Sequence, residues 1–209
     1  MSIYRDHIYP YLVSRIGDPK PIRNLRQKVV RLASGTVLEV GSGAGANFLY
    51  YDPTRVTKLY ALEPNARMIA LAKPQRPASL AVEYLELPGE RIPLQDASVD
   101  SVVSTFTLGT IPDVLSALRG MRRVLRPEGK LIFLELGLSP EAAVRRWQKV
   151  WDPAAHWLFE GLHLTLDISS LLMESRFQIE TLETGYLATF PKSWTFCSWG
   201  TAGVSCSVS

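Results

Sequence analysis

The sequence is poor in cysteine and has no long apolar run. Two of its 209 residues are cysteine, both near the C-terminus, and their spacing fits neither a disulfide framework nor a metal site. No apolar stretch is long enough to span a bilayer, and the first residues do not have the pattern of a signal peptide. We therefore expect a cytoplasmic protein without a bound metal.

The sequence also lacks a large excess of charge of either sign. Its net charge of +3 is too small to indicate a nucleic-acid partner. Apolar residues make up 46% and charged residues 21% of the chain, which is typical of globular proteins. A chain of 209 residues suits one domain with a well-buried core.

A glycine-rich turn follows the first predicted strand. An apolar run carries Glu39 near its end, and three glycines then alternate with other residues between Gly41 and Gly45. Glycine allows a left-handed backbone and lets a ligand approach the chain closely. Glu63 ends the next apolar run about twenty residues later, where an acid can meet the hydroxyls of a bound ribose. This pattern predicts a cofactor that contains a nucleoside.

Two cofactors fit this turn unequally. Gly41, Gly43 and Ala46 match a loose dinucleotide fingerprint, so an NAD-linked oxidoreductase is one alternative. Glu39, however, would repel a pyrophosphate and would attract the amino group and sulfonium of S-adenosylmethionine (SAM). The turn and the acid after it resemble the first two motifs of class I SAM-dependent methyltransferases, which implies SAM as the cofactor.

The segment 89–108 resembles the corresponding part of the type 11 methyltransferase domain. The resemblance implies that the backbone near Gly89 and Glu90 contacts adenine and that Thr105 lies under the methionine part of the cofactor. Asp100 is expected to point away from it. The expected cofactor contacts are Glu39, Gly41, Ser42, Gly43, Gly45, Asn47, Glu63, Pro64, Gly89, Glu90 and Thr105.

Apolar runs and turn signals predict an alternation of strands and helices. Strands are expected at 36–40, 57–62, 81–86, 99–104, 130–136, 177–184 and 194–202. Helices are expected at 44–50, 65–73, 113–126, 140–151, 153–160 and 167–175. We expect an α/β, Rossmann-like class I methyltransferase fold: a mostly parallel seven-stranded sheet with helices on both faces and an N-terminal helical cover. One domain would span 1–209, with a leader at 1–34, a SAM-binding half at 35–136, and the substrate cover and last two strands at 137–209.

The segment 147–165 closely resembles the alkyl-thiol methyltransferases of animal membranes. The shared residues are Trp147-Gln148, Asp152-Pro153-Ala154, His156, Leu158-Phe159, Gly161 and Leu164-Thr165. Leu162 stands where those enzymes have Cys, and Leu166 where they have Arg. Bacterial phosphatidylethanolamine N-methyltransferase-like proteins share a Tyr-bearing start like that from Tyr4 to Tyr11. The acceptor therefore stays open between nitrogen and sulfur of a small apolar or lipid-like molecule.

Aromatic residues in this segment are candidates for substrate binding. Trp147 and Trp151 lie one helical turn apart and are joined by Trp157 and Phe159. Together they are expected to form an apolar wall that either lines an acceptor pocket or packs the cover onto the sheet. The resemblance adds Tyr4 and Tyr11 to the candidate substrate contacts.

Three polar residues of the same segment are candidates for catalysis. His156 and His163 are bases that titrate near neutral pH, and either could accept a proton from the acceptor. Asp152 is the third candidate, although Asp152-Pro153 is also a typical start of a helix.

The leader is basic and is predicted to be helical over residues 2–34. It either packs over the cofactor cleft with a solvated outer face or touches an anionic membrane through residues 2–31. A catalytically silent SAM-binding protein remains a further alternative, because methyl transfer depends on alignment more than on a distinctive set of residues.

Overall fold

The structure is a computed structural model, which describes residues 19–187 and 191–204. Its strands are β1 (Gly35–Val40), β2 (Val56–Leu62), β3 (Val82–Leu85), β4 (Val99–Thr105), β5 (Leu125–Leu136), β6 (Phe177–Tyr186) and β7 (Phe196–Val204). Its α-helices are α1 (Lys20–Val30), α2 (Ala66–Ala72), α3 (Val114–Val124), α4 (Ala142–Leu158) and α5 (Ile168–Glu174). Tyr4 and Tyr11 lie outside the described residues.

Within the described ranges the strands form one seven-stranded sheet in the order β3-β2-β1-β4-β5-β7-β6. The first five strands in sequence pair in parallel, whereas β7 pairs antiparallel with both β5 and β6. The strand order reverses between β1 and β4, so a crevice opens at their carboxyl ends, where α/β sheets bind ligands. The predicted fold class is confirmed.

Both faces of the sheet are buried, as a parallel sheet requires. Along β5, Leu131 and Phe133 pack into one core cluster and Ile132 and Leu134 into the other, because successive side chains point to opposite faces. The second cluster includes Val30 of α1, so the described part of the leader packs directly on the sheet.

The predicted helix at 44–50 is wrong. This stretch contains only one turn of 3-10 helix, Phe48–Tyr50. The chain before it cannot be helical, because Gly41, Gly43 and Gly45 all have positive φ angles.

The two predicted helices at 140–151 and 153–160 are a single helix, α4, which contains Pro153. Asp152 is therefore not an N-cap. Its carboxylate accepts a hydrogen bond from the backbone N–H of Leu164 instead. The helix continues through the proline because Gln148 and Ala155 are buried on one side of it, before and after the break in its hydrogen bonds.

Strand β5 begins five residues before its predicted start, because Leu125 pairs with Val99 ahead of an irregularity in register. On β7, Cys197 is fully buried, and burial raises the pKa of its thiol to about 12. None of the helices in the described part of the chain is long and apolar enough to cross a membrane.

Candidate functional site

A cavity of about 1370 Å³ opens at the carboxyl ends of β1, β2 and β4. All the residues expected to contact the cofactor line this cavity, and so do His156 and His163. These residues are up to about 120 positions apart in the sequence, and the sheet topology brings them to one crevice.

The glycine turn is shaped so that only glycine fits at its first position. Gly41 has a φ of 69°, and a Cβ atom there would lie 2.3 Å from Oγ1 of Thr107. The next residue, Ser42, has a buried hydroxyl for which no described residue supplies a hydrogen-bond partner. A buried polar atom without a partner costs free energy, so this hydroxyl fits a site where a polar ligand supplies the missing bond.

The Glu63 carboxylate is held beside the glycine turn. Its Oε2 accepts a hydrogen bond from Gly43 N at 3.0 Å, and its Oε1 accepts one from Asn65 N at 3.0 Å. Burial raises the pKa of this carboxyl above its usual range. A carboxylate has about four acceptor positions, so it retains the capacity to accept from ribose hydroxyls.

Glu39 lies deeper in the crevice and is 1% exposed. One carboxylate oxygen accepts from Nδ2 of Asn47 at 2.9 Å, and the other accepts from the hydroxyl of Tyr51 at 2.9 Å. Burial raises the pKa of Glu39 from 4.5 to about 7, more than these hydrogen bonds lower it. A cationic ligand beside it would favour the charged form.

Arg26 is a functional candidate that the sequence reading missed. Its guanidinium is buried, and Nη1 donates to Oγ1 of Thr105 at 2.8 Å and to Oδ1 of Asn47 at 3.0 Å. A signal was available, because Arg26 shares a helical face with Ile22, Val29 and Val30, which are all buried. Arg26 thus places one positive charge of the basic leader in the crevice.

Glu135 is a second residue that the sequence reading missed. Oε1 accepts from the Ser104 hydroxyl at 2.6 Å, and Oε2 accepts from the backbone N–H groups of Thr107 (2.8 Å) and Leu108 (3.1 Å). It therefore fixes the loop that leaves β4. Burial raises its pKa from 4.5 to about 7. The signal in the sequence was a lone carboxylate inside the apolar run of β5.

The three candidate catalytic residues lie close together, and two of them, His156 and His163, line the cavity. Nδ1 of His163 lies 3.0 Å from Oδ2 of Asp152, and the imidazole rings of His156 and His163 are 4.8 Å apart. The backbone N–H of His163 donates to the carbonyl of Gly109, which anchors this residue to the loop after β4. An imidazole whose Nδ1–H donates to a carboxylate keeps a lone pair on Nε2, as a proton acceptor requires.

Two expected substrate contacts lie elsewhere. Trp147 and Trp151 are 59% and 44% exposed on the outer face of α4, and neither lines the cavity. Trp151 packs against Trp194, with ring centroids 6.2 Å apart. The expectation of a continuous acceptor wall is therefore corrected: of its tryptophans, Trp157 alone lines the cavity. The reason is the helical phase of α4, which buries Gln148 and Ala155 and leaves Trp147 and Trp151 beside the buried side, partly exposed.

The described residues contain no group of three His, Cys, Asp or Glu side chains that could hold a metal ion. The side chains that line the cavity suit SAM. The Ser42 hydroxyl and the carboxylates of Glu39 and Glu63 would hold its polar and cationic groups.

Comparison with known proteins shows the family to which the chain belongs. Residues 38–133 match the family model described as "Methyltransferase domain". The chain is 33% identical to the human thiol S-methyltransferase TMT1B over 186 residues, which cover 81% of the chain and 75% of TMT1B. It is 36% identical to human thiol S-methyltransferase TMT1A over 147 residues, which cover 68% of the chain and 59% of TMT1A.

Solved structures show the same fold. A SAM-dependent methyltransferase from Thermotoga maritima superposes with a TM-score of 0.66 at 17% identity, covering 96% of this chain and 99% of that one. One from Leishmania major superposes with a TM-score of 0.70 at 15% identity, covering 95% of this chain and 80% of that one. The match to the methyltransferase domain and the thiol S-methyltransferase relatives set aside the NAD-linked alternative, and SAM is the cofactor. The chain belongs to the class I SAM-dependent methyltransferases, in the family that includes the thiol S-methyltransferases.

Proposed function

We propose that this methyltransferase transfers the methyl group of SAM to the sulfur of a small apolar thiol. The observation that carries the proposal is the pairing of Asp152 with His163, a residue that lines the cavity. The names of the relatives TMT1A and TMT1B, which are thiol S-methyltransferases, support sulfur over nitrogen. Exposed Leu49, Leu71 and Trp157 line the same cavity and suit an apolar acceptor.

SAM supplies an activated methyl group when it is bound. The protein must then align the acceptor and remove its proton, because a thiolate is a far better nucleophile than a thiol. In the proposed reaction the S–H proton passes to Nε2 of His163. The sulfur then forms a bond to the methyl carbon as the bond from that carbon to the cofactor sulfur breaks.

Asp152 has a positioning role in this reaction. Its carboxylate holds Nδ1 of His163 and is itself held by Leu164 N at 2.6 Å. This arrangement favours the tautomer with Nε2 unprotonated and stabilises the imidazolium that forms. His156 lies beside the pair and is not hydrogen-bonded to Asp152.

The test is a pair of acceptors that differ only in the reacting atom. Purified protein and SAM would be incubated with hexanethiol or with hexylamine, and products identified by mass spectrometry. We expect the methyl thioether and no N-methylamine. The variant Glu63→Ala, which removes a carboxylate from the cofactor cavity, serves as the cofactor-binding control.

Other outcomes would each contradict the proposal. Methylation of hexylamine, or of phosphatidylethanolamine in vesicles, without the thioether would assign the enzyme to nitrogen. Tight SAM binding with no methylated product from either acceptor would support the catalytically silent alternative.

A further inference from the structure

We infer that the outer face of α4 is a docking surface for an anionic lipid bilayer. Five of the ten large apolar side chains that are exposed among the described residues lie on this helix: Trp147, Val150, Trp151, Trp157 and Leu158. With the exposed Ala154 they follow spacings of three and four, which makes one continuous stripe. A cluster of exposed tryptophans and aliphatic residues of this kind marks an interaction surface.

The stripe borders the face that α4 packs on the fold, and its member Trp151 also packs against Trp194. Val144, Gln148 and Ala155 are the buried residues of the helix. Gln148 anchors that face, because its Nε2 donates to the carbonyls of Gly137 and Leu164. The helix therefore has a buried side and a second, apolar side that faces outward.

The charges on α4 favour a lipid surface over a second copy of the chain. Arg145, Arg146 and Lys149 are its basic residues besides His156, and Arg146 and Lys149 are exposed next to the stripe. Asp152 is the single acid of the helix, and its carboxylate is taken up by His163 and Leu164. In a symmetric dimer these like charges would face each other, whereas anionic headgroups would pair with them.

Tryptophan suits such a position. Its ring buries a large apolar area while its N–H stays near polar headgroups, and helices that lie in the interface combine Trp and Leu with flanking Lys and Arg. α4 has this composition along its outer side.

The stripe also runs into the mouth of the cofactor cavity. Trp157 belongs to both, and exposed Leu49 and Leu71 line the same cavity. Docking through α4 would therefore bring the cavity to the lipid bilayer, where apolar acceptors concentrate. Lipid binding itself does not rest on the proposed acceptor, and it can be measured without methyl transfer.

The test is co-sedimentation of the full chain with vesicles of phosphatidylcholine, with and without phosphatidylserine. We expect binding that increases with phosphatidylserine. Replacing Trp147, Trp151 and Trp157 together by Gln should weaken partitioning at least about tenfold. The matched control is Met173→Gln with Leu182→Gln, which removes exposed apolar side chains from α5 and β6 and should leave binding unchanged.

A second arm tests the charge. Arg146→Glu with Lys149→Glu should abolish the dependence on phosphatidylserine, whereas Arg91→Glu with Arg119→Glu, also exposed, should not. A cooperative thermal transition in every variant, with a midpoint close to that of the wild type, shows that the fold is intact.

The inference is overturned if the wild type fails to bind vesicles. It is also overturned if the triple variant binds them as well as the wild type does, since the leader would then carry the contact. A concentration-dependent dimer that the triple variant abolishes, without vesicle binding, would make the stripe a self-interface.

Discussion

Nη1 of Arg26 donates a 2.8 Å hydrogen bond to Oγ1 of Thr105, which lies 79 residues later in the chain. The bond joins α1 to the end of β4, and a second bond from the same atom reaches Asn47 in the glycine turn. Arg26 thus attaches α1 to the cofactor site.

Replacing Arg26 by Leu should weaken SAM binding about tenfold and lower the free energy of unfolding by about 2 kcal/mol, because Thr105 and Asn47 lose a buried charged donor. Isothermal titration calorimetry and denaturant unfolding measure the two effects. Hydrogen exchange in α1 should also increase. Arg31→Leu, a change at an exposed position after the same helix, is the control, and equal effects of both would refute the attachment.

Glu39 predicts a dependence of stability on pH. Its pKa is raised to about 7, so the folded state holds a proton that the unfolded chain releases above 4.5. The contribution of Glu39 to the free energy of unfolding should therefore be fully present below pH 4.5. It should be lost as pH rises from there through about 7, and the loss should amount to about 3 kcal/mol. Glu39→Gln should flatten the fall and weaken SAM binding. Denaturant unfolding at about pH 5 and about pH 8 checks this, and an unchanged slope would contradict it.

Part of the fall in stability that remains in Glu39→Gln should come from Glu135, whose pKa is also raised to about 7. Glu135→Gln keeps an oxygen for the N–H groups of Thr107 and Leu108, so it should fold and be at least as stable as wild type at about pH 8. Glu135→Leu leaves both donors without an acceptor and should cost about 3 kcal/mol or more. Equal stability of the two variants would show that the hydrogen bonds contribute nothing.

A substitution at Ser42 should distinguish a role in ligand binding from a role in folding. Ser42→Ala removes a buried hydroxyl that has no partner among the described residues, so stability without cofactor should be unchanged or slightly higher. SAM affinity should fall by about fivefold to tenfold, because one hydrogen bond to the ligand is lost. Calorimetric titration and thermal melting, each with and without SAM, distinguish the effects. A loss of stability without a loss of affinity would assign the hydroxyl to the fold.

Asp152→Asn tests the proposed proton acceptor. Asn can still accept from Leu164 N, but its amide donates to Nδ1 of His163 and shifts the proton to Nε2. Turnover of a thiol should fall about a hundredfold at neutral pH, with SAM affinity unchanged. Turnover should recover at high pH, where the thiol ionises by itself. His156→Gln is the comparison, and an equal loss there would move the role away from the pair.

Much of the fold could be predicted from the sequence, because buried parallel strands are continuous apolar runs with turn signals at their ends. The residues that line the cofactor cavity were also predictable, since a glycine turn and a strand-end acid have defined places in this topology. These signals are local, so they can be recognised without knowing which distant residues pack against them.

The remainder depends on contacts between distant residues. Asp152 has the local signature of a helix cap, yet its carboxylate bonds to residues 163–165, and α4 continues past it. Arg26 and Glu135 are buried charges whose partners lie on other elements. Spacing along the chain indicates which residue types are present, but it does not indicate which distant group will compensate a buried charge.

Cys197 has a practical consequence for an enzyme that we propose acts on thiols. Its own thiol is fully buried in β7, and its pKa of about 12 keeps it uncharged at neutral pH. Thiolates, not thiols, react with alkylating agents, so Cys197 will neither compete with the acceptor nor be consumed by electrophiles. A maleimide that traps unreacted acceptor can therefore be added to the folded enzyme without modifying this residue.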